Sequence, residues 1–162
     1  MKHKVFAAFV ALALCALQSH AQIMSAATRD KPNFYFDAKT HVIPLTEAGA
    51  TSISFTTTQA NQRVAVSFSA ECSVGGVHAT TYLDLDILVD GVAAPPSDSD
   101  NAFCAAHADP TAIRANWVSA ITVVVTTVPT PGQHVVQVRG TLRNMVDGDS
   151  WSVDDSATLV SK

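Results

Sequence analysis

Three oxygen-bearing side chains near the middle of the chain have chemistry that suits a cation. Asp98, Asp100 and Asn101 fall in the stretch 93–116, which shows no clear periodicity. Hard oxygen ligands at this close spacing can begin a calcium site. An EF-hand loop would need glycine at its sixth position, where this chain has Phe103. Two interpretations remain open, namely a calcium site of another geometry and a solvated acidic loop.

A second set of metal ligands is built around two cysteines. Cys72 and Cys104 are the two cysteines that follow the segment 1–21, and with His78 and His107 they would supply four ligands for zinc. Two thiols in an exported protein more often form a disulfide, so we predict a Cys72–Cys104 bridge. On the chain-entropy model, closing a loop of about 33 residues stabilises the fold by roughly 3–4 kcal/mol.

A pair of carboxylates on one strand could act on sugars. Asp84 and Asp86 lie two residues apart, which places them on the same face of a strand. Paired carboxylates of this kind can serve as acid and base in glycoside hydrolysis. The alternative is that they solvate the outward face of a sheet and discourage edge pairing, and we favour it because the next position on that face is Leu88.

Four large aromatic side chains could stack on sugar rings or fill a core. They are Tyr35, Tyr82, Trp117 and Trp151. Because aromatic residues make up only 7% of the chain, most of them are needed for the core. Trp117 borders the acidic stretch, and we assign it to a predicted ligand-binding loop. The members of this loop are Asp98, Asp100, Asn101, Asp109 and Trp117.

The N-terminal segment 1–21 has the three parts of a secretory signal peptide. Residues 2–4 are basic, residues 5–16 are almost wholly apolar, and residues 19–21 offer small side chains for cleavage before Gln22. The apolar run of about 12 residues is shorter than the ~20 that span a membrane. Lipid attachment at Cys15 is the alternative. The pattern predicts a secreted or periplasmic protein without a membrane span.

The charge balance bears on the class of partner. Loss of the two lysines in the segment 1–21 would leave eight Lys and Arg against 14 Asp and Glu, a net charge of −6. An acidic surface disfavours nucleic-acid binding, which needs clustered cations. Apart from calcium at the acidic stretch, we expect no cofactor.

Period-2 alternation dominates the rest of the sequence. It is clearest at 63–73, 80–90, 117–128 and 133–143, and no helical stripe accompanies it. We predict an all-β fold, a two-sheet antiparallel β-sandwich of jelly-roll type with eight or nine strands. It would occupy residues 33–162 as a single domain, with residues 22–32 as a flexible lead-in.

Two strings in the later strands resemble those of a known class. "LDILVDG" and "ITVVVTTVPTPGQHVVQVRGTL" are similar to the strands of secreted jelly-roll modules of the galactose-binding-like, carbohydrate-binding type. The resemblance covers roughly residues 82–142, implies a jelly-roll sandwich and permits glycan binding. It matches no ligand residue of that family onto this chain.

These observations favour an exported, non-catalytic binding module whose ligand is a glycan or a surface polymer. The first alternative is a structural or protein-interaction subunit of a surface assembly. The second is an enzyme that acts on polysaccharide, although the sequence holds no complete catalytic motif such as Gly-x-Ser-x-Gly or His-Glu-x-x-His.

Overall fold

The structure, a computed structural model, describes residues 21–76, 78, 80–96, 102–106 and 117–162, and this part of the chain is all β. It contains eleven strands. They are β1 (Ile23–Arg29), β2 (Asn33–Tyr35), β3 (His41–Val42), β4 (Ile53–Thr57), β5 (Gln62–Gly75), β6 (Tyr82–Val89), β7 (Val92–Ala93), β8 (Ala102–Ala105), β9 (Val118–Val128), β10 (Gly132–Arg143) and β11 (Ser150–Ser161). The prediction of an all-β fold is confirmed. The count exceeds eight or nine because several strands are only two to four residues long, too short for a period-2 pattern.

The strands form two antiparallel sheets. The first sheet has the order β1–β11–β5–β9, and β2 also pairs with β11. The second has the order β3–β10–β6–β7, with β4 beside β10 and β8 beside β6. From β8 onwards the chain crosses between the sheets at every step, from β8 to β9, β10 and β11. This is the strand order of a jelly roll, so the predicted sandwich is confirmed.

The beginning of the described chain differs from the flexible lead-in expected at residues 22–32. This segment contains β1, which pairs with β11 along its whole length. The main-chain N–H and carbonyl of Gln22 are both bonded to Lys162, at 2.9 and 3.0 Å. The short Ala, Ser and Thr side chains of β1 give little alternation, and its order comes from main-chain hydrogen bonds.

The core lies between the sheets and is filled by alternate residues of the long strands. In β5 the inward face carries Val64, Val66, Phe68 and Ala70, all buried. The residues between them are partly exposed, which is the pattern of a strand with one solvated face.

The two sheets approach each other closely where Trp151 of β11 meets Gly140 of β10. Trp151 is only 1% exposed, and Tyr35 stacks on it with 4.0 Å between ring centroids. A Cβ at Gly140 would lie 2.6 Å from Cη2 of Trp151 and 3.1 Å from methyl carbons of Leu83 and Leu85. Glycine at position 140 therefore makes room for the indole ring.

The predicted Cys72–Cys104 disulfide is present. It joins β5 of the first sheet to β8 of the second, and both cysteines are buried. Because it consumes both thiols, it excludes the zinc site that Cys72 and Cys104 would have formed with His78 and His107. His107 itself lies outside the described residues.

The contact at Gly140 yields a test of the packing between the sheets. We expect Gly140→Ala to lower the free energy of unfolding by about 1–3 kcal/mol, because the added methyl group has no room beside the indole. Urea denaturation measures this loss. In a Trp151→Phe background the same substitution should lower the free energy of unfolding by much less. An equal loss in both backgrounds would show that Gly140 does not make room for the indole.

Candidate functional site

One row of the first sheet crosses β2, β11 and β5 and presents its side chains to the outside. Phe34 pairs with Ser152, and Ser152 pairs with Ser73. Cys72 pairs with Val118, so Trp117, which immediately precedes β9, continues the row next to Ser73. The row thus has an aromatic residue at each end and two serines between.

The two aromatic rings lean toward each other over the serines. Three strand spacings separate the backbones of Phe34 and Trp117 by about 14 Å. Their ring centroids are only 6.5 Å apart, in an edge-to-face arrangement with an interplanar angle of 70°. Ser73 and Ser152 face outward yet are only 4% and 3% exposed, as expected beneath such a cover. Phe34 itself remains 42% exposed, so the pair offers an aromatic surface to solvent.

An acidic hollow lies next to this aromatic pair on the same face. It has a volume of about 240 Å³, and its lining includes Ser69, Glu71, Ser119 and Asp155. Glu71 pairs with Ser119, which lies two residues beyond Trp117 on the same strand face. We call the set of Phe34, Trp117, Glu71, Ser119 and Asp155 the aromatic–acid site.

A β-bulge in β11 brings Asp155 into the hollow. The register between β11 and β5 shifts between Asp154 and Ala157, and Asp155 has a φ of 43°. Its N–H donates to Oδ1 of Asp154 at 2.9 Å. A bulge re-aims the side chain of a strand residue, here an exposed carboxylate. Within the described residues, neither Glu71 nor Asp155 takes part in an ion pair.

This arrangement suits a ligand with one apolar face and several hydroxyl groups. The exposed ring of Phe34 and the partly exposed ring of Trp117 can receive the apolar face. The carboxylates of Glu71 and Asp155 can accept hydrogen bonds from hydroxyl groups, and charged acceptors form the stronger hydrogen bonds. Both features are those of a sugar-binding surface.

The residues of the predicted ligand-binding loop are only partly described. Asp98, Asp100, Asn101 and Asp109 lie outside the described residues, and so does the predicted calcium site. Trp117 lies at the start of β9 against Phe34. In the part of the chain that the structure describes, no three His, Cys, Asp or Glu side chains come together to hold a metal ion.

Asp84 and Asp86 are engaged in ion pairs on the outward face of the second sheet. Arg143 donates from Nε and Nη2 to Oδ2 of Asp84 at 2.8 and 2.6 Å. Arg139 donates from Nε to Oδ2 of Asp86 at 2.9 Å. Each arginine occupies a carboxylate oxygen that an acid–base pair would need. The role that we favoured is nevertheless wrong for Asp84, which is only 3% exposed and so does not solvate the face. Neither aspartate protects a sheet edge, because β6 lies between β10 and β7.

A network that the sequence reasoning did not assemble joins an exposed acid, a buried histidine and a buried hydroxyl at one end of the sandwich. Nδ1 of His134 lies 2.7 Å from Oδ2 of Asp90, and Nε2 lies 3.0 Å from Oγ1 of Thr57. The Thr57 hydroxyl donates to the Thr130 carbonyl at 3.0 Å, and Nε2 is also 3.0 Å from that oxygen. His134 and Thr57 are both buried.

This network resembles a catalytic triad only in its order of groups. A nucleophilic hydroxyl must reach substrate, whereas Thr57 is buried and directs its proton to a main-chain carbonyl. The contacts instead tie three turns together, since Asp90 also accepts from the Val135 N–H at 2.9 Å. We infer that the network stabilises the fold rather than taking part in catalysis.

The Asp90 carboxylate carries a pH-dependent share of that stability. Burial favours its neutral form, but the hydrogen bonds from His134 and Val135 outweigh burial and hold the pKa of Asp90 below its ordinary value. A carboxylate with a lower pKa in the folded state stabilises the fold above its unfolded-state pKa. That stabilisation disappears as the pH falls through the folded-state pKa.

We therefore expect Asp90→Asn to lower the free energy of unfolding by less than about 1 kcal/mol at about pH 5.5, because solvent screens this half-exposed carboxylate, and by still less at about pH 2. Chemical denaturation at the two pH values measures the difference. Asp147→Asn is the matched control, because Asp147 is exposed and also precedes a glycine in a turn. A loss of equal size at both pH values would refute the role of the carboxylate charge.

The fold and the site together define a jelly-roll β-sandwich with an aromatic–acid surface on one outer face. The structure of dimeric latent PorU from Porphyromonas gingivalis is similar to this chain, with a TM-score of 0.43 and 9% identity over 89% of it. This chain spans only 14% of that protein. A native family 35 carbohydrate binding module from Clostridium thermocellum is similar over 83% of this chain and 97% of its own length, with a TM-score of 0.33 and 14% identity.

These similarities concern the sandwich fold alone. The resemblance to carbohydrate-binding modules that the strand motifs suggested is found again in the second structure, and at TM-scores below 0.5 neither similarity carries an argument about ligands. No family model matches the sequence, and a search of curated proteins finds no match. In the described residues, no helix is long and apolar enough to cross a membrane.

Proposed function

We propose that this protein is an exported, non-catalytic binding module whose ligand is a neutral glycan. The observation that carries the proposal is the Phe34–Trp117 pair, with Phe34 exposed and Trp117 partly exposed, beside the carboxylates of Glu71 and Asp155. A sugar ring laid on the aromatic pair would place its hydroxyl groups over the acidic hollow. The loop residues Asp98, Asp100, Asn101 and Asp109 remain a prediction, as does calcium there.

The negative charge of the site favours neutral glycans over acidic ones. Glu71, Asp154 and Asp155 lie together on this face, and the protein without the segment 1–21 would carry a net charge of −6. A uronic acid or sulfated sugar would bring a second negative charge to carboxylates that form no ion pair in the described structure. Like charges at close range disfavour binding, so the proposed ligands are neutral glycans.

The Trp117 indole should dominate the affinity for such ligands. We expect the wild-type protein to bind neutral oligosaccharides in preference to uronic-acid oligosaccharides on a glycan array. For a ligand found this way, we expect Trp117→Ala to weaken binding at least roughly tenfold, or about 1.4 kcal/mol, because the stacking surface is lost. Titration calorimetry measures the change.

Matched variants distinguish loss of the binding surface from a general effect of substitution on the protein. Trp117→Phe should retain part of the affinity, and Glu71→Gln should weaken neutral glycans while reducing the discrimination against uronic acids. Val42→Ala, an exposed aliphatic residue of the second sheet, should bind as the wild type does. Full affinity in Trp117→Ala, or no binding of any oligosaccharide by the wild type, would overturn the proposal.

The proposal of export rests on the signal-like segment 1–21 and on the disulfide. A disulfide forms and persists in oxidising compartments outside the cytoplasm. We expect the protein expressed with this segment in a bacterial host to be recovered outside the cytoplasm, with Gln22 as its first residue on N-terminal sequencing. Recovery from the cytoplasm with the segment intact would rule out export.

A further inference from the structure

Strand β9 forms one edge of the first sheet, and its outward face is aliphatic. In the described structure its one strand partner is β5. The outward side chains of Ile121, Val123 and Val125 are 66%, 51% and 46% exposed. All eleven residues of β9 are uncharged, and none is proline. A long, uncharged edge whose outer main-chain groups have no strand partner among the described residues is a template for pairing with another strand.

We propose that β9 pairs antiparallel with β9 of a second copy of this chain, around a two-fold axis at Val123. The pairing would join the two first sheets into one continuous sheet. A two-fold axis makes the contact self-complementary, so that the same surface serves both copies and assembly stops at the dimer.

The side chains select this register. Outward residues of one strand must meet outward residues of the other, because a shift by one residue turns every side chain to the other face. With the axis at Val123, each Ile121 meets Val125 of the second copy, and the two Val123 side chains meet each other. An axis at residue 122 or 124 would pair an exposed aliphatic residue with Ser119 or Thr127 instead.

Charges on the neighbouring strand support the same register. On β5, Arg63 pairs with Thr127 and Glu71 pairs with Ser119. With the axis at Val123, Thr127 meets Ser119 of the second copy, so Arg63 shares a row with Glu71 of the second copy. These two residues would be about 14 Å apart at the backbone, and the short side chains between them leave room for the long ones to approach. The symmetry produces this pairing twice.

Sedimentation equilibrium of the wild-type protein tests the proposal over roughly 1–500 µM, a range that covers weak and moderate affinity. We expect a dimer whose fraction rises with concentration. Val123→Lys should raise the dissociation constant at least tenfold, because it places two ammonium groups face to face at the axis. Val92→Lys is the matched control, a 71% exposed valine in β7 of the second sheet, and it should associate as the wild type does.

Charge reversal tests the register itself. Arg63→Glu and Glu71→Arg should each weaken the dimer, and the double variant should restore it, because the row again joins opposite charges. Circular dichroism verifies that each variant is folded. A wild type that is monomeric at every concentration, or a dimer that persists in Val123→Lys, would overturn the proposal. Association is the only readout, so the result does not depend on whether the glycan proposal holds.

Discussion

The contact between Trp151 and Gly140 fixes which way the neighbouring residues of β11 and β2 face. The indole reaches from β11 across the core to the backbone of β10, where a side chain larger than hydrogen would collide with it. Because alternate residues of a strand face opposite ways, an inward Trp151 requires an outward Ser152. Tyr35 stacks inward on the same indole, which turns Phe34 outward above Ser152. The core contact thus sets the register of the candidate site.

The two outer faces of the sandwich differ in whether their acidic residues form ion pairs. On the second sheet, Asp84 and Asp86 are each bonded to an arginine of β10. On the first sheet, Glu71 and Asp155 form no ion pair in the described structure and lie beside the rings of Phe34 and Trp117. On the second sheet the arginines neutralise the carboxylates. A carboxylate that forms no ion pair keeps its capacity to accept hydrogen bonds from a ligand. The candidate binding surface is therefore on the first sheet.

The parts of the fold that could be predicted are those with local signals. The alternation of residues 63–73 predicts β5 with its buried face, and the two cysteines beyond the segment 1–21 predict the bridge between Cys72 and Cys104. The short strands β2, β3, β7 and β8 escape prediction because two to four residues cannot establish a period. Strand β1 escapes prediction because main-chain hydrogen bonds to β11 hold it in place, and these bonds impose no alternation on its side chains.

The candidate site could be predicted only in fragments, since Phe34 and Trp117 are 83 positions apart and only the strand order β2–β11–β5–β9 brings their rings together. Asp155 depends on a bulge without a sequence signal, and the histidine and carboxylate of the His134 network are 44 positions apart.

The edge strand and the aromatic–acid site are parts of one surface. Trp117 immediately precedes β9, and Ser119 belongs both to the acidic hollow and to the edge. A two-fold axis that joins two first sheets edge to edge keeps both outer faces on the same side. In such a dimer Arg63 of the second copy would share the row of Glu71, which leaves Asp155 as the carboxylate of the site without an opposite charge in its row. Two sites would then face one polymer chain or one surface, and the second binding event would become intramolecular. A shallow site of about 240 Å³ offers limited contact to a single sugar, so if both proposals hold, two sites on one dimer would bind a repetitive glycan more tightly than one site alone.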